Sequence, residues 1–220
     1  MNDNMMKKFF LFAAILGCMS LSVNAQSVLI NGVRWATCNV DAPGTFAKSP
    51  DDAGMFYQWN SKVAWSASGE ISDWKSVSVE ISDEEGHMYY LWGNENDPSP
   101  KGYHVPTIDE VTLLFDKDKV AYMRTTRNGR LGCKFTDKSN GNSIFLPACG
   151  FRGGRNGTWE GNGSLEYSSM MYWTVPQMVG SDILTYFTIS EDDYGVLGGG
   201  VIQTAFGNPV KALPMRCVAD

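Results

Sequence analysis

Arg152, Arg155, Asn156 and Trp159 fall within one stretch, RGGRNGTW, that is rich in glycine and bare of long aliphatic residues. An indole in such a loop offers an apolar face to the C–H face of a sugar ring, while guanidinium and amide groups hydrogen-bond to hydroxyls. Trp65 and Trp74 lie in a second polar stretch with the same chemistry open to them. The competing reading is that Trp159 folds back over its own loop as a lid on the core. Seven Trp and nine Tyr are many for this length. Most belong inside, because Trp35, Trp59, Trp92 and Trp173 sit in apolar runs.

Catalytic patterns are weak, and no catalytic residue is assigned. His87 and His104 are the only imidazoles. His104, between Tyr103 and Val105, has no nucleophile beside it of the kind a triad needs. Carboxylates cluster at Asp51-Asp52, Asp83-Glu84-Glu85 and Glu191-Asp192-Asp193. Calcium takes six to eight converging oxygens, so it is the one cofactor left open, although neighbouring carboxylates on one loop more often make a solvated turn. No metal ligands are assigned: the cysteines show no CxxC spacing and no zinc pattern.

The compartment is read from the N-terminus. Lys7-Lys8, the apolar run Phe9–Leu16 and Val23-Asn24-Ala25 form the basic, apolar and small-residue regions of a secretory signal peptide over residues 1–25. Gly17, Ser20 and Ser22 break the run that a membrane anchor needs. Processing as a lipoprotein at Cys18 is the lesser alternative. Cleavage removes Lys7, Lys8 and Asp3 and leaves 16 basic against 23 acidic side chains, net −7. A chain of this charge is a poor nucleic-acid binder, since phosphate contacts need clustered Lys and Arg. No later run is long enough to span a bilayer. Residues 26–220 are expected to form a single domain, secreted or held in the periplasm or on the outer cell surface. Cys38, Cys133, Cys149 and Cys217 then remain, an even count that suggests two disulfides in an exported chain, with three pairings open.

Short apolar runs between Gly, Asn, Asp and Ser predict many strands joined by long loops. Val28–Ala36 reads as a hairpin turning at Asn31-Gly32. Gly54–Asn60, Met88–Trp92, Tyr172–Val175, Leu184–Ser190 and Val210–Ala219 read as strands. Residues 61–87 read as a long excursion and Gly153–Gly163 as a loop. Gly132–Asp137 and Ser143–Phe151 read as a hairpin around Ser139–Asn142. The one convincing helix, about 107–116, opens on the capping box Thr107-Ile108-Asp109-Glu110 and places Ile108, Val111, Leu114 and Phe115 on one face. One helix amid strands predicts an α+β class.

The order of several segments resembles a known family, the Fibrobacter succinogenes major paralogous domain. NGVRWATCNV, DAPGTFAKSPDDAGMFYQWN, KGYHVPTIDEV, SIFLPACGFR, MYWT and LPMRCV follow the family's order over nearly all of the chain after residue 25. The resemblance implies a C-type-lectin-like fold, distantly similar to formylglycine-generating sulfatase-modifying domains. The reactive cysteine pair of the latter has no match here. Trp92–Asp97 superficially resembles a lectin calcium strand but precedes the helix, the wrong place for one. The family often carries a cysteine where this chain has Ser99, a cysteine thought to pair with the one in RCV. Cys217 thus lacks that partner, and the resemblance suggests Cys149–Cys217 and Cys38–Cys133 instead. The implied role is an exported, non-catalytic binding module for a glycan or a surface protein. The alternative is a structural adhesin or fimbria-associated subunit, with an enzyme less favoured.

Overall fold

The computed structural model describes residues 26–75, 81–82, 88–89, 92–154, 156–161, 170–175, 183–191, 197–206 and 211–220. The expected signal peptide, Cys18, His87 and Arg155 lie outside these residues, as do Asp83–Glu85 and Asp192-Asp193.

Strand formation starts from tight turns. β1 (Ser27–Ile30) and β2 (Val33–Ala36) pair antiparallel with Ile30 opposite Val33. Asn31 and Gly32 between them both have positive φ, 43° and 86°, the conformation a two-residue turn of this hand requires and the reason an Asn-Gly pair occupies it. β3 (Phe56–Gln58), β4 (Ala64–Trp65), β5 (Ile81–Ser82), β6 (Met88–Tyr89) and β7 (Tyr103–His104) are short. After α1 (Ile108–Leu114) come β8 (Val120–Arg127) and β9 (Arg130–Asp137). They turn at Asn128-Gly129, with φ of 47° and 81°, the same device used a second time. β10 (Ser143–Pro147) pairs with β9 as expected, but the strand stops there. β11 (Phe151–Gly153) belongs to another sheet, because Gly150 turns the chain with φ 70°. The loop expected at Gly153–Gly163 contains β12 (Thr158–Glu160), paired to β11. β13 (Met171–Trp173), β14 (Ile183–Glu191) and β15 (Leu197–Phe206) form a meander.

The single last strand expected over Val210–Ala219 is two strands, β16 (Ala212–Pro214) and β17 (Val218–Ala219), in different sheets. Pro214 has no amide to continue a ladder. The chain instead crosses between the sheets, its Met215 and Cys217 carbonyls accepting from Val40 N at 3.0 Å and Ala36 N at 2.9 Å.

The sheets run β1-β2-β17-β7, β10-β9-β8, β12-β11-β16-β3-β4, β13-β14-β15 and β5-β6, and each pairing between these strands is antiparallel. Among the described residues the fold is mostly antiparallel strands with one short α-helix, an α+β arrangement. Thr107 caps α1 through both arms of the capping box. Val111 and Leu114 are buried beside Trp35, Phe135, Tyr172 and Phe187, and Phe115 packs against the same cluster. Each such side chain contributes about 1.5–3 kcal/mol on burial. A second cluster centres on Trp59, Trp173, Tyr57 and Leu213, and a third on Phe56, Trp65 and Cys149. No helix among the described residues is long and apolar enough to cross a membrane.

Candidate functional site

The β11–β12 hairpin carries most of the residues that the sequence marks as ligand-binding. Arg152 is 1% exposed. Its guanidinium donates to the carbonyls of Ser66, of Gly157 at 2.8 Å and of Gly69 at 2.7 Å. The expected role as a direct ligand contact gives way to a positioning one: the donors are consumed in tying the 66–69 loop to the β11–β12 turn. Trp65 is buried in the third core cluster, and Trp74 packs on it with ring centroids 4.9 Å apart. Trp74 also covers Gly157, where a β-carbon would come within 2.4 Å of the ring. These two indoles support the site from below: Trp65 is buried, and Trp74 is half-buried with its ring packed on Trp65 and Gly157.

Trp159 is different. It is 41% exposed, and its Nε1 donates to Cys149 O at 3.1 Å. That bond holds the ring edge against the scaffold and leaves the apolar surface toward solvent. Gly150 makes the approach possible, since a β-carbon there would lie 2.3 Å from Glu160 O and 3.1 Å from Trp159 Nε1. Trp159 borders two grooves. One, about 580 Å³, is also lined by Glu70, Asn156 and Thr158. The other, about 730 Å³, runs past Asp41, Lys48, Asp52 and Arg130. A third hollow of about 440 Å³ shares Asp52 and Arg130 with it and ends at Asn128. These volumes lie in the range of ordinary ligand sites. Asn156 is exposed as expected and lines the first groove.

Lys48, Asp41 and Arg130 were not marked by the sequence, because they come from separate segments. Asp52 was noted only as half of a carboxylate pair. The pair does not converge: Asp51 Oδ1 accepts from Ser49 Oγ, from Asn128 Nδ2 at 3.1 Å and faces Arg127 Nε at 3.5 Å. These hydrogen bonds, that of Ser49 foremost, hold the Asp51 carboxyl below its usual pKa. Among the described residues Asp52 Oδ2 accepts only from Ser49 N, at 3.0 Å, and Asp52 lines the groove. No family model, curated protein or solved structure matches the chain.

The four described cysteines are free thiols. The expected Cys149–Cys217 and Cys38–Cys133 bridges are not formed, and Cys133, Cys217 and Cys149 lie in three separate core clusters. Burial pushes the thiol pKa of each of these three up to about 12, so none is a thiolate nucleophile near neutral pH. Ser99 hydrogen-bonds the Cys217 thiol, and its Oγ lies 4.0 Å from Met215 Sδ.

His104 is held by two carboxylates. Nδ1 lies 2.8 Å from Asp220 Oδ1, and Nε2 lies 3.3 Å from both oxygens of Glu110. The Glu110 hydrogen bond, opposed by burial and reinforced by Asp220, raises the His104 pKa to about 9. Burial would raise Glu110, but hydrogen bonds from His104 and Thr107 outweigh it and hold that carboxyl below its usual value. The unfolded histidine titrates near pH 6.5, so the stabilisation is complete below about pH 6.5 and is lost as pH rises through about 9. The ring is 35% exposed, which screens the pair and leaves ~1–2 kcal/mol. Urea unfolding at pH 6 and pH 9.5 is expected to show this loss in the wild type and a flat response in His104→Asn. An equal loss in both proteins would remove His104 as its source.

Proposed function

We propose that this chain is an exported, non-catalytic binding module with a C-type-lectin-like fold, a member of the major paralogous domain family, that recognises a glycan or surface protein. A glycan is the ligand the site favours. The observation that carries the reading is Trp159: an exposed indole, anchored by its own N–H, standing between two grooves on a hairpin that Arg152 holds in place. Carbohydrate sites pair such a ring with hydrogen-bonding side chains at its rim, here Asn156, Thr158, Asp41 and Asp52. The basic, apolar and small-residue pattern of residues 1–25 supports export. The raised thiol pKa values and the engagement of both His104 nitrogens support binding rather than catalysis.

The alternative, an assembly subunit, draws on β15. This strand, ten residues long, bonds only to β14 among the described residues, and an open edge is a template for another chain. Glycan-array screening followed by titration calorimetry tests the first reading. Trp159→Ala is expected to weaken binding by ten- to a hundredfold, from the loss of about 1.4–2.8 kcal/mol of stacking, with unfolding midpoint little changed. A blank array together with concentration-dependent oligomers in light scattering would favour the assembly subunit.

A further inference from the structure

We propose that the groove beside Trp159 takes an acidic saccharide, and that Arg130 and Lys48 receive its anionic group; this rests on the glycan-binding reading. The chain carries a net charge of −6, yet two exposed cations line the same groove as its exposed indole. The Arg127 guanidinium pairs with Asp51. By contrast, the Arg130 and Lys48 side chains make no hydrogen bond or ion pair with any described residue. Arg130 opens β9 directly after the Asn128-Gly129 turn, opposite Arg127, and its place at this end of the hairpin puts it on the border of two hollows.

A free guanidinium presents a planar fork that matches a carboxylate or a sulfate ester, and an ammonium adds a second point charge. Asp41 and Asp52, in the same groove, are acceptors. They cannot bind the anionic group, but their carboxylates accept hydrogen bonds from hydroxyls. An indole face, hydroxyl acceptors and cations without partners among the described residues, all within one groove, match a sugar that carries both hydroxyls and an acid. The hollow past Arg130 extends the groove toward Asn128, so the occupant is an oligomer rather than a single ring.

The test is calorimetry on the purified protein with three probes of equal length: galacto-oligosaccharides, oligogalacturonides and sulfated galacto-oligosaccharides. At least one acidic probe is expected to bind ten times or more tighter than the neutral one, with affinity falling as salt rises. The double variant Arg130→Ala, Lys48→Ala should lose that preference and its salt dependence, so that it binds acidic and neutral probes equally. Both residues are exposed, and a thermal melt checks that the variant remains folded. Preference for the carboxylate or the sulfated probe identifies which acid the groove reads. Equal binding of neutral and acidic probes by the wild type, or a preference that survives the double variant, overturns the proposal and leaves the glycan reading standing. Absence of binding to all three probes and to a broad neutral array overturns both.

Discussion

Replacing Arg216 by alanine is expected to lower stability by about 4 kcal/mol, near the upper end for single substitutions. Arg216 is completely buried. Its Nε donates to Asn39 Oδ1 at 2.9 Å, and its Nη1 donates to the carbonyls of Ala36 at 3.2 Å and Thr37 at 3.1 Å. Asn39 in turn donates to Ala53 O at 3.0 Å. One side chain therefore clips the end of β2, the 39–53 segment and the crossing between β16 and β17. Truncation leaves two buried acceptors, Asn39 Oδ1 and Ala36 O, unpaired at about 1–3 kcal/mol each, frees the half-buried Thr37 carbonyl, and opens a cavity, offset in part by relaxation. Lysine is expected to recover little, because an ammonium has no fork to reach three separated acceptors. Urea unfolding of the wild type, Arg216→Ala and Arg216→Lys checks this. A loss below about 1 kcal/mol for alanine would mean that the network contributes little. Because Ala53 and Asp52 border the groove, Arg216→Ala should also weaken ligand binding through displacement of that wall.

Ser99→Cys is expected to have an effect of similar size and opposite sign. The Ser99 side chain already meets the Cys217 thiol, so a cysteine there can pair with it. Closing the loop from 99 to 217 constrains the unfolded chain by about 4–5 kcal/mol in the chain-entropy treatment. At roughly 2–4 °C per kcal/mol, the melting temperature should rise by about 8–20 °C under oxidising conditions and fall back on reduction. Oxidation is best done during refolding, because the buried Cys217 thiol has a pKa pushed up to about 12 and forms little thiolate in the native state. Peptide mapping that found residue 99 unpaired after oxidative refolding, with no thermal gain, would sink the idea.

Local chemistry made parts of this fold legible. Asn31-Gly32 specifies its turn because few other residue pairs tolerate two positive φ values, and Thr107 with Glu110 specifies a helix start by satisfying amides that otherwise lack partners. The same logic applied to Asn128-Gly129 points to β8, which was not recognised because Met123, Arg124, Thr125 and Thr126 lack the apolar alternation of a half-buried strand. β15 was hidden by Gly198-Gly199-Gly200, residues that ordinarily weaken a strand.

The candidate site divides the same way. Trp159 was legible because a large aromatic in a glycine-rich polar loop is unusual at any position. Arg152 looked like its companion, and its actual role depends on carbonyls at Ser66, Gly69 and Gly157, of which two come from a distant segment. Trp65 and Trp74 were read as surface rings because their neighbours in the chain are polar, while their neighbours in space are each other and the third core cluster.

Adjacent residues are enough to set the turns, the helix cap and the α+β class, whereas the exposure of Trp159, which the sequence left open against a lid over its own loop, comes from the fold. Those adjacent residues carry their conformational limits with them. The folded chain alone sets which arginine is exposed and which is buried. It also decided that Lys48, Asp52 and Arg130 line one groove, and that Ser99 lies against Cys217. Those outcomes depend on which backbone carbonyls and strand ends meet across sheets, and antiparallel pairing between distant segments leaves no periodic trace in the chain.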